Sequence, residues 1–314
     1  MLSRRHLRIK VMQVLYTQEL EHNLSLQQQT KYLESLLSKS EELYYLILVY
    51  LIEITQYSIQ HKDKKSAKLL ATTEDKTTNI SISVNPIINH LKASKEFQSH
   101  IKRLKILDLV SDLEVKNLFE SILKREKYTL YCLNEDKSLT DHKEILIHIV
   151  KKIIDNSEDL FMHLDADFLN LSDDFHTINF LLQKDIEKFD LSHTNNFIFS
   201  VEADKDDLNF CKELLELTFV HDKRMLEIIS PKLKGWEIDR IAIMDTVILK
   251  MALAEMLYFQ FIPLKVTMNE YIDIAKSYST PKSKDFINGI LDKIMHALKE
   301  EGQIVKKGRG LMEQ

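Results

Sequence analysis

The hydrophobic pattern is clearest near the C-terminus, where apolar side chains recur at the spacing of a helix. From Ile238 to Phe259 the apolar positions cover most of the helix circumference, which is typical of a helix buried on several sides. Pro263 predicts its end. Two amphipathic helices are predicted after it, from Val266 to Tyr278 and from Thr280 and Pro281 to a stop at Gly302. The pattern therefore predicts a central buried helix within a helical bundle.

The same spacing predicts a first helix from about Ser3 to Leu20, followed by several more. The apolar stripe of the first helix consists of Leu7, Val11, Val14 and Leu15. Further helical patterns cover Leu33–Ile59, Ile87–Leu123, Thr140–Ile154 and Asp173–Phe189. The most apolar run, Leu43–Ile52, is too short to cross a bilayer and predicts a core helix. The polar stretch His61–Pro86 predicts a linker.

Composition supports an all-α fold. Only five of the 314 residues are glycine, and the first of these is Gly235. A glycine-rich phosphate loop is therefore excluded from most of the chain, and few glycines with long helical periodicity indicate helices throughout. The net charge is −5. Acidic residues are concentrated between residues 155 and 216, either as a solvated face or as a surface that repels RNA or meets a basic partner.

No residues form a convincing catalytic set. Cys132 and Cys211 are isolated in sequence, so we expect neither a metal site nor a disulfide, as suits a protein of the reducing cytoplasm. Glu270 and Asp273 lie one turn apart but have no histidine or further acid placed to cooperate with them. The twelve histidines are scattered singly. We therefore expect a protein without enzymatic activity, cofactor or metal.

Basic residues at the start of the first helix are the main candidates for binding. At 100° per residue, Arg4, Arg5 and Arg8 fall on one flank of the apolar stripe, and Tyr16 lies close to Arg5 in projection. Such a cluster could hold a phosphate backbone and stack an unpaired base. Basic termini are usually solvated, however, and this is the alternative interpretation. The residues alone leave both readings open.

Two segments, one near each end of the chain, resemble the transcription antitermination factor NusB family. The C-terminal resemblance rests on Pro263, Val266, Asn269, Glu270, Ile274–Lys276 and the run Phe286–Lys293, which reads FINGILDK. The N-terminal resemblance rests on Arg4–Arg8, Val11 and Gln13–Tyr16. The segments follow the order of the family's own elements, and eight consecutive positions match in the last one.

The resemblance implies a NusB-like bundle of two packed helical subdomains with an extra helical insertion. Residues 1–24 would supply the first helix, and residues 205–302 would form the core. Residues 25–204 would be a helical insertion or extension, with its linker near residues 61–86. Residues 303–314 would be a basic tail, which we expect to be disordered.

The resemblance also implies a function. Family members bind boxA-type single-stranded RNA jointly with the ribosomal protein NusE and join elongating RNA polymerase, supporting transcription of ribosomal RNA operons. The RNA-binding residues would be Arg4, Arg5, Arg8, Tyr16, Tyr278 and Phe286. Asp245 and Glu255 would contact the basic ribosomal protein.

Some features depart from the family pattern and leave alternatives. Ser279, Pro281 and Lys282 stand where the family often has a glycine and acidic residues, so the loop shape there is an open question. A helical interaction scaffold without RNA binding would fit the negative net charge. An RNA methyltransferase would need a cofactor-binding domain, and the chain contains no glycine motif for one.

Overall fold

The computed structural model describes residues 2–67, 81–190, 205–233 and 241–312. Throughout these ranges the regular secondary structure is helical and contains no strand, which confirms the predicted all-α class. None of the helices described is both long and apolar enough to cross a membrane.

The chain forms two compact units. The first unit is Ser38–Glu202, and the second combines Leu2–Leu37 with Ala203–Gln314. Residues 25–37, which the sequence analysis placed in the insertion, thus belong to the second unit.

The first unit contains part of one long helix and seven shorter ones. They are α2 (Leu26–Ser66, of which residues 38–66 lie here), α3 (Pro86–Ala93), α4 (Lys95–Arg103), α5 (Asp112–Leu123), α6 (Glu126–Leu133), α7 (Leu139–Ile149), α8 (Glu158–Asp165) and α9 (Leu171–Lys188). Every residue from Leu43 to Ile52 is buried in the core, as predicted. The expected linker at His61–Pro86 is partly wrong, because α2 continues to Ser66 and α3 begins at Pro86. Residues 68–80 of that stretch lie outside the described residues.

Hydroxyl and amide side chains begin most of the short helices in this unit. Asn85 directly precedes Pro86, the first residue of α3, and its side chain accepts a hydrogen bond from the amide of Ile87. Ser94 caps α4 by accepting a hydrogen bond from the amide of Phe97. Ser138 and Asp141 form a reciprocal capping box at the start of α7. These bonds satisfy amides that a helix leaves without an internal partner.

The second unit is built around the predicted central helix. Its helices are α1 (Arg4–Glu21), α10 (Lys205–Val220), α11 (Asp222–Ile229), α12 (Ile243–Tyr258), α13 (Leu264–Tyr278) and α14 (Ser283–Glu300), together with the beginning of α2. Every residue from Val247 to Met256 in α12 is buried, which confirms the central position. Helices α1, α10, α11, α13 and α14 all pack against α12. The start of α12 predicted at Ile238 lies outside the described residues.

Several helix ends differ from the predicted ones. Helix α12 ends at Tyr258 rather than at Pro263, which instead precedes α13 as its N-terminal cap residue. Helix α14 begins at Ser283, two residues after the predicted proline, because Thr280 starts a turn in which its carbonyl accepts from the amide of Ser283. The stop at Gly302 is confirmed by its positive φ of 66°.

The C-terminal tail is ordered up to Met312, and the prediction of disorder was wrong there. The Lys306 ammonium donates to the carbonyls of Glu255 (3.3 Å) and Phe259 (2.9 Å), and the Lys307 amide donates to the carbonyl of Gln260 (2.9 Å). Carbonyls at a helix C-terminus have no partner within the helix and favour a cation. The tail therefore caps α12. Burial lowers the pKa of Lys306 to about 8, although the charge of Glu255 opposes this shift.

Candidate nucleic-acid interface

A cleft of about 650 Å³ lies in the second unit beside the start of α1. Three segments line it: the first turns of α1, the stretch from Phe261 to Glu270 that includes the start of α13, and the tail at Arg309 and Met312. The first helix begins at Arg4, and the Ser3 hydroxyl caps it by accepting a hydrogen bond from the amide of His6. Arg4, Arg5 and Arg8, in the first turns after this cap, line the cleft.

Arg8 is buried and paired with Glu255 on the central helix. Its Nε and Nη2 atoms lie 2.7 and 2.8 Å from the two carboxylate oxygens, and the side chains are 3% and 0% exposed. Thr267 and Tyr271 also donate hydroxyl hydrogen bonds to this carboxylate, at 2.8 and 3.2 Å. Burial disfavours the Arg8 charge, but the hydrogen bonds and charge of Glu255 outweigh it and raise the pKa of Arg8. Arg8 therefore joins α1 to α12 and α13.

Arg5 is half exposed and bound to two carboxylates of α13. Its Nε and Nη2 atoms each lie 2.9 Å from an oxygen of Glu270, and Nη2 is also 2.9 Å from Asp273. The hydrogen bond with Glu270 is the main cause that raises the pKa of Arg5. Burial opposes ionisation of Glu270, yet its bond with Arg5 and the nearby charge of Arg8 lower its pKa overall.

Arg4, like Arg5, is about half exposed, with 49% of its side chain accessible. Its Nε lies 3.2 Å from Asp207 on α10. Its guanidinium carbon is 5.0 Å from the centre of the Phe210 ring, within range of a cation–π interaction. Arg4 and Arg5 thus present charge at the surface, whereas Arg8 does not.

The predicted aromatic residues do not line this cleft. Tyr16 is half-buried further along α1, Tyr278 is the last residue of α13, and Phe286 lies in the first turn of α14. The structure therefore brings the three arginines together without the three predicted aromatic rings.

The predicted protein-contact residues, Asp245 and Glu255, are both buried rather than exposed. Asp245 is 5% exposed and accepts hydrogen bonds from the hydroxyls of Ser279 and Ser283. These two bonds tie the turn between α13 and α14 to α12. Direct contact of either carboxylate with a basic partner would require these internal bonds to break. Both carboxylates thus have internal partners, and their contact with a partner protein stays a prediction.

Two residues of the cleft, Phe261 and Met312, were not predicted from the sequence, and a third, Arg309, was predicted only as part of a basic tail. Phe261 is 67% exposed and Met312 is 66% exposed, and Arg309 lies in the tail beside them in the cleft lining. A signal was present for Arg309, because two glycines flank it and glycine permits a close approach of backbones. Phe261 lies between the ends of two helices, where no periodicity predicts its exposure.

Within the described residues, no group of three or more histidine, cysteine or acidic side chains is arranged to hold a metal ion. Neither Cys132 nor Cys211 is part of a disulfide. Burial raises the pKa of both, and a raised pKa lowers the thiolate fraction available for reaction.

Comparison with known proteins shows that one segment of the cleft lining, from Phe261 to Glu270, lies within a recognised domain. The sequence model of the NusB family matches residues 176–296. It begins within the segment predicted as an insertion and includes neither α1 nor the tail.

Three similar relatives each carry the name transcription antitermination protein NusB. The protein of Salinibacter ruber is 42% identical over 104 residues, 33% of this chain and 65% of its own length. That of Chloroherpeton thalassium is 47% identical over 85 residues, 27% of this chain and 40% of its own length. That of Thermodesulfovibrio yellowstonii is 42% identical over 113 residues, 36% of this chain and 71% of its own length. The first two are thus covered over less than two thirds of their length. No solved structure is significantly similar to the chain.

Proposed function

Because the chain belongs to the NusB family, we propose that it is a transcription antitermination factor that binds single-stranded RNA. Its RNA would be of the boxA type, bound jointly with the ribosomal protein NusE. The complex would join elongating RNA polymerase in the cytoplasm and support transcription of ribosomal RNA.

The observation that carries this proposal is the cleft beside α1, at which Arg4 and Arg5 are about half exposed. Guanidinium groups bind phosphate with well-matched geometry. The carboxylates beside them do not prevent this, because exposed ion pairs contribute about 0–1 kcal/mol and exchange partners readily. Arg8 would support the site from below by fixing α1.

Unpaired bases would extend from the cleft onto aromatic residues. Tyr16, Tyr278 and Phe286 remain candidates for stacking at about 1–3 kcal/mol per base. They lie outside the cleft, so the RNA would have to run along the surface of the second unit to reach them.

A helical interaction scaffold that does not bind RNA is the second candidate. It is favoured by the net charge of −5 and by the carboxylate beside each of Arg4, Arg5 and Arg8. A surface whose cations are neutralised attracts a polyanion weakly.

Fluorescence anisotropy with a boxA-type strand and a scrambled strand, with and without NusE, distinguishes the two candidates. We expect tighter binding to the boxA strand and a further increase with NusE. The variant Arg4→Ala with Arg5→Ala should reduce the slope of log K against log salt by about 0.7 per lost phosphate contact. Arg8 is left intact because it is buried. Binding of NusE without binding of either RNA would support the scaffold instead.

A further inference from the structure

The C-terminal tail holds one arginine at the cleft through contacts on both sides of it. Before Arg309, the side chain of Lys306 and the amide of Lys307 bond to carbonyls at the end of α12. After it, Gly310 is buried so close to the segment that follows α12 that a Cβ there would lie 2.0 Å from the carbonyl oxygen of Gln260. Only glycine fits without a shift of backbone. The position of Arg309 is therefore set by the fold of the tail.

Arg309 differs in charge balance from the other arginines of the cleft. Arg4, Arg5 and Arg8 pair with Asp207, Glu270 and Glu255, respectively. Among the described residues, no ion pair or side-chain hydrogen bond involves Arg309, which is exposed. A phosphate could bind to Arg309 without displacing a carboxylate, because no acidic side chain among the described residues neutralises its positive charge.

An exposed aromatic ring accompanies this charge. Phe261 is 67% exposed and packs beside the tail, since a Cβ at Gly308 would lie 3.4 Å from its Cδ1 atom. An exposed ring beside a cation is the combination on which single-stranded RNA stacks its bases while its backbone is neutralised. A carboxylate-bearing peptide would use the cation but would leave the face of the ring uncovered.

We propose that Arg309 and Phe261 form an additional RNA-binding position, in which Arg309 binds a backbone phosphate and Phe261 stacks an unpaired base. This inference rests on the proposed RNA-binding function and assigns it two further residues. The match to the family ends at residue 296, so the contribution of the tail lies outside the matched segment.

The test compares Arg309→Ala with Lys307→Ala in the full chain. Both variants remove one positive charge from an exposed position of the tail, but only Arg309 lines the cleft. Measured by anisotropy against the boxA-type strand over a series of salt concentrations, Arg309→Ala should reduce the salt slope by about 0.7. Lys307→Ala should leave the slope unchanged.

Phe261→Leu tests the stacking position separately. Leucine keeps an apolar contact with the tail but removes the aromatic face, so RNA affinity should fall by about 5- to 150-fold with an unchanged salt slope. Thermal melting confirms that each variant is folded like the wild type.

The outcomes separate the two proposals. The wild type could bind RNA while Arg309→Ala and Phe261→Leu both retain its affinity and salt slope. That result would contradict the binding position at Arg309 and Phe261 but would agree with the proposed RNA-binding function. If the wild type does not bind RNA, the proposed function fails and this inference fails with it. If Arg309→Ala loses binding to a glutamate-rich peptide but not to RNA, the position serves an acidic partner and the inference is overturned.

Discussion

The three arginines at the start of α1 occupy different environments although they lie within five positions of one another. Helical projection correctly placed them on one flank, yet it could not distinguish the buried Arg8 from the exposed Arg4 and Arg5. The difference arises from Glu255, which lies 247 residues away in sequence. Local periodicity carries no information about such a partner. The role of a polar side chain was therefore the feature least accessible from sequence.

Replacement of Arg8 by alanine should destabilise the protein strongly. It would leave the Glu255 carboxylate buried without its cation, and removal of one partner from a buried pair costs about 3–5 kcal/mol. Arg4→Ala, at an exposed pair, should change stability by about 1 kcal/mol or less. Urea denaturation measures both. Equal stability of Arg8→Ala and the wild type would show that the pair does not hold α1 in place.

Hydrophobic periodicity predicted which segments are helical and which helices are buried better than it predicted where each helix ends. The burial of α12 and the end of α14 before Gly302 agree with the predictions from the sequence. The ends near Pro263 and Thr280 differ because each is set by turns and hydrogen bonds with other segments. Gly289, inside α14, has open space beside it, since a Cβ there would meet nothing within 4 Å.

Replacement of glycine by alanine should stabilise the protein at Gly289 but disrupt its packing at Gly310. Gly289→Ala should stabilise α14 by about 1 kcal/mol, because glycine is a poor helix former and the space is open. Gly310→Ala should release the tail, because its Cβ would overlap a backbone carbonyl. Urea denaturation measures the first effect and limited proteolysis after residue 302 measures the second. An uncleaved tail in Gly310→Ala would contradict the docking described here, and a destabilised Gly289→Ala would indicate a contact at that face.

At the scale of the whole molecule, the sequence predicted the fold class and the family but not the extent of the second unit. The recognised segment, residues 176–296, begins before that unit's second part and ends before its tail. The tail was predicted to be disordered because a short basic terminus has no periodicity of its own. Its partners are the free carbonyls of α12, which only the folded chain brings to it. The roles of Arg309 and Phe261 follow from that packing.

The central claim is that the cleft of the second unit binds single-stranded RNA. Ultraviolet cross-linking of the full chain to a boxA-type strand, followed by mass spectrometry of the peptides, tests it most directly. We predict cross-links in the peptides that contain Phe261 and residues 303–312, and their loss in the presence of excess unlabelled boxA strand but not of the scrambled strand. Cross-links confined to the first unit, or none above those of the scrambled strand, would contradict the claim.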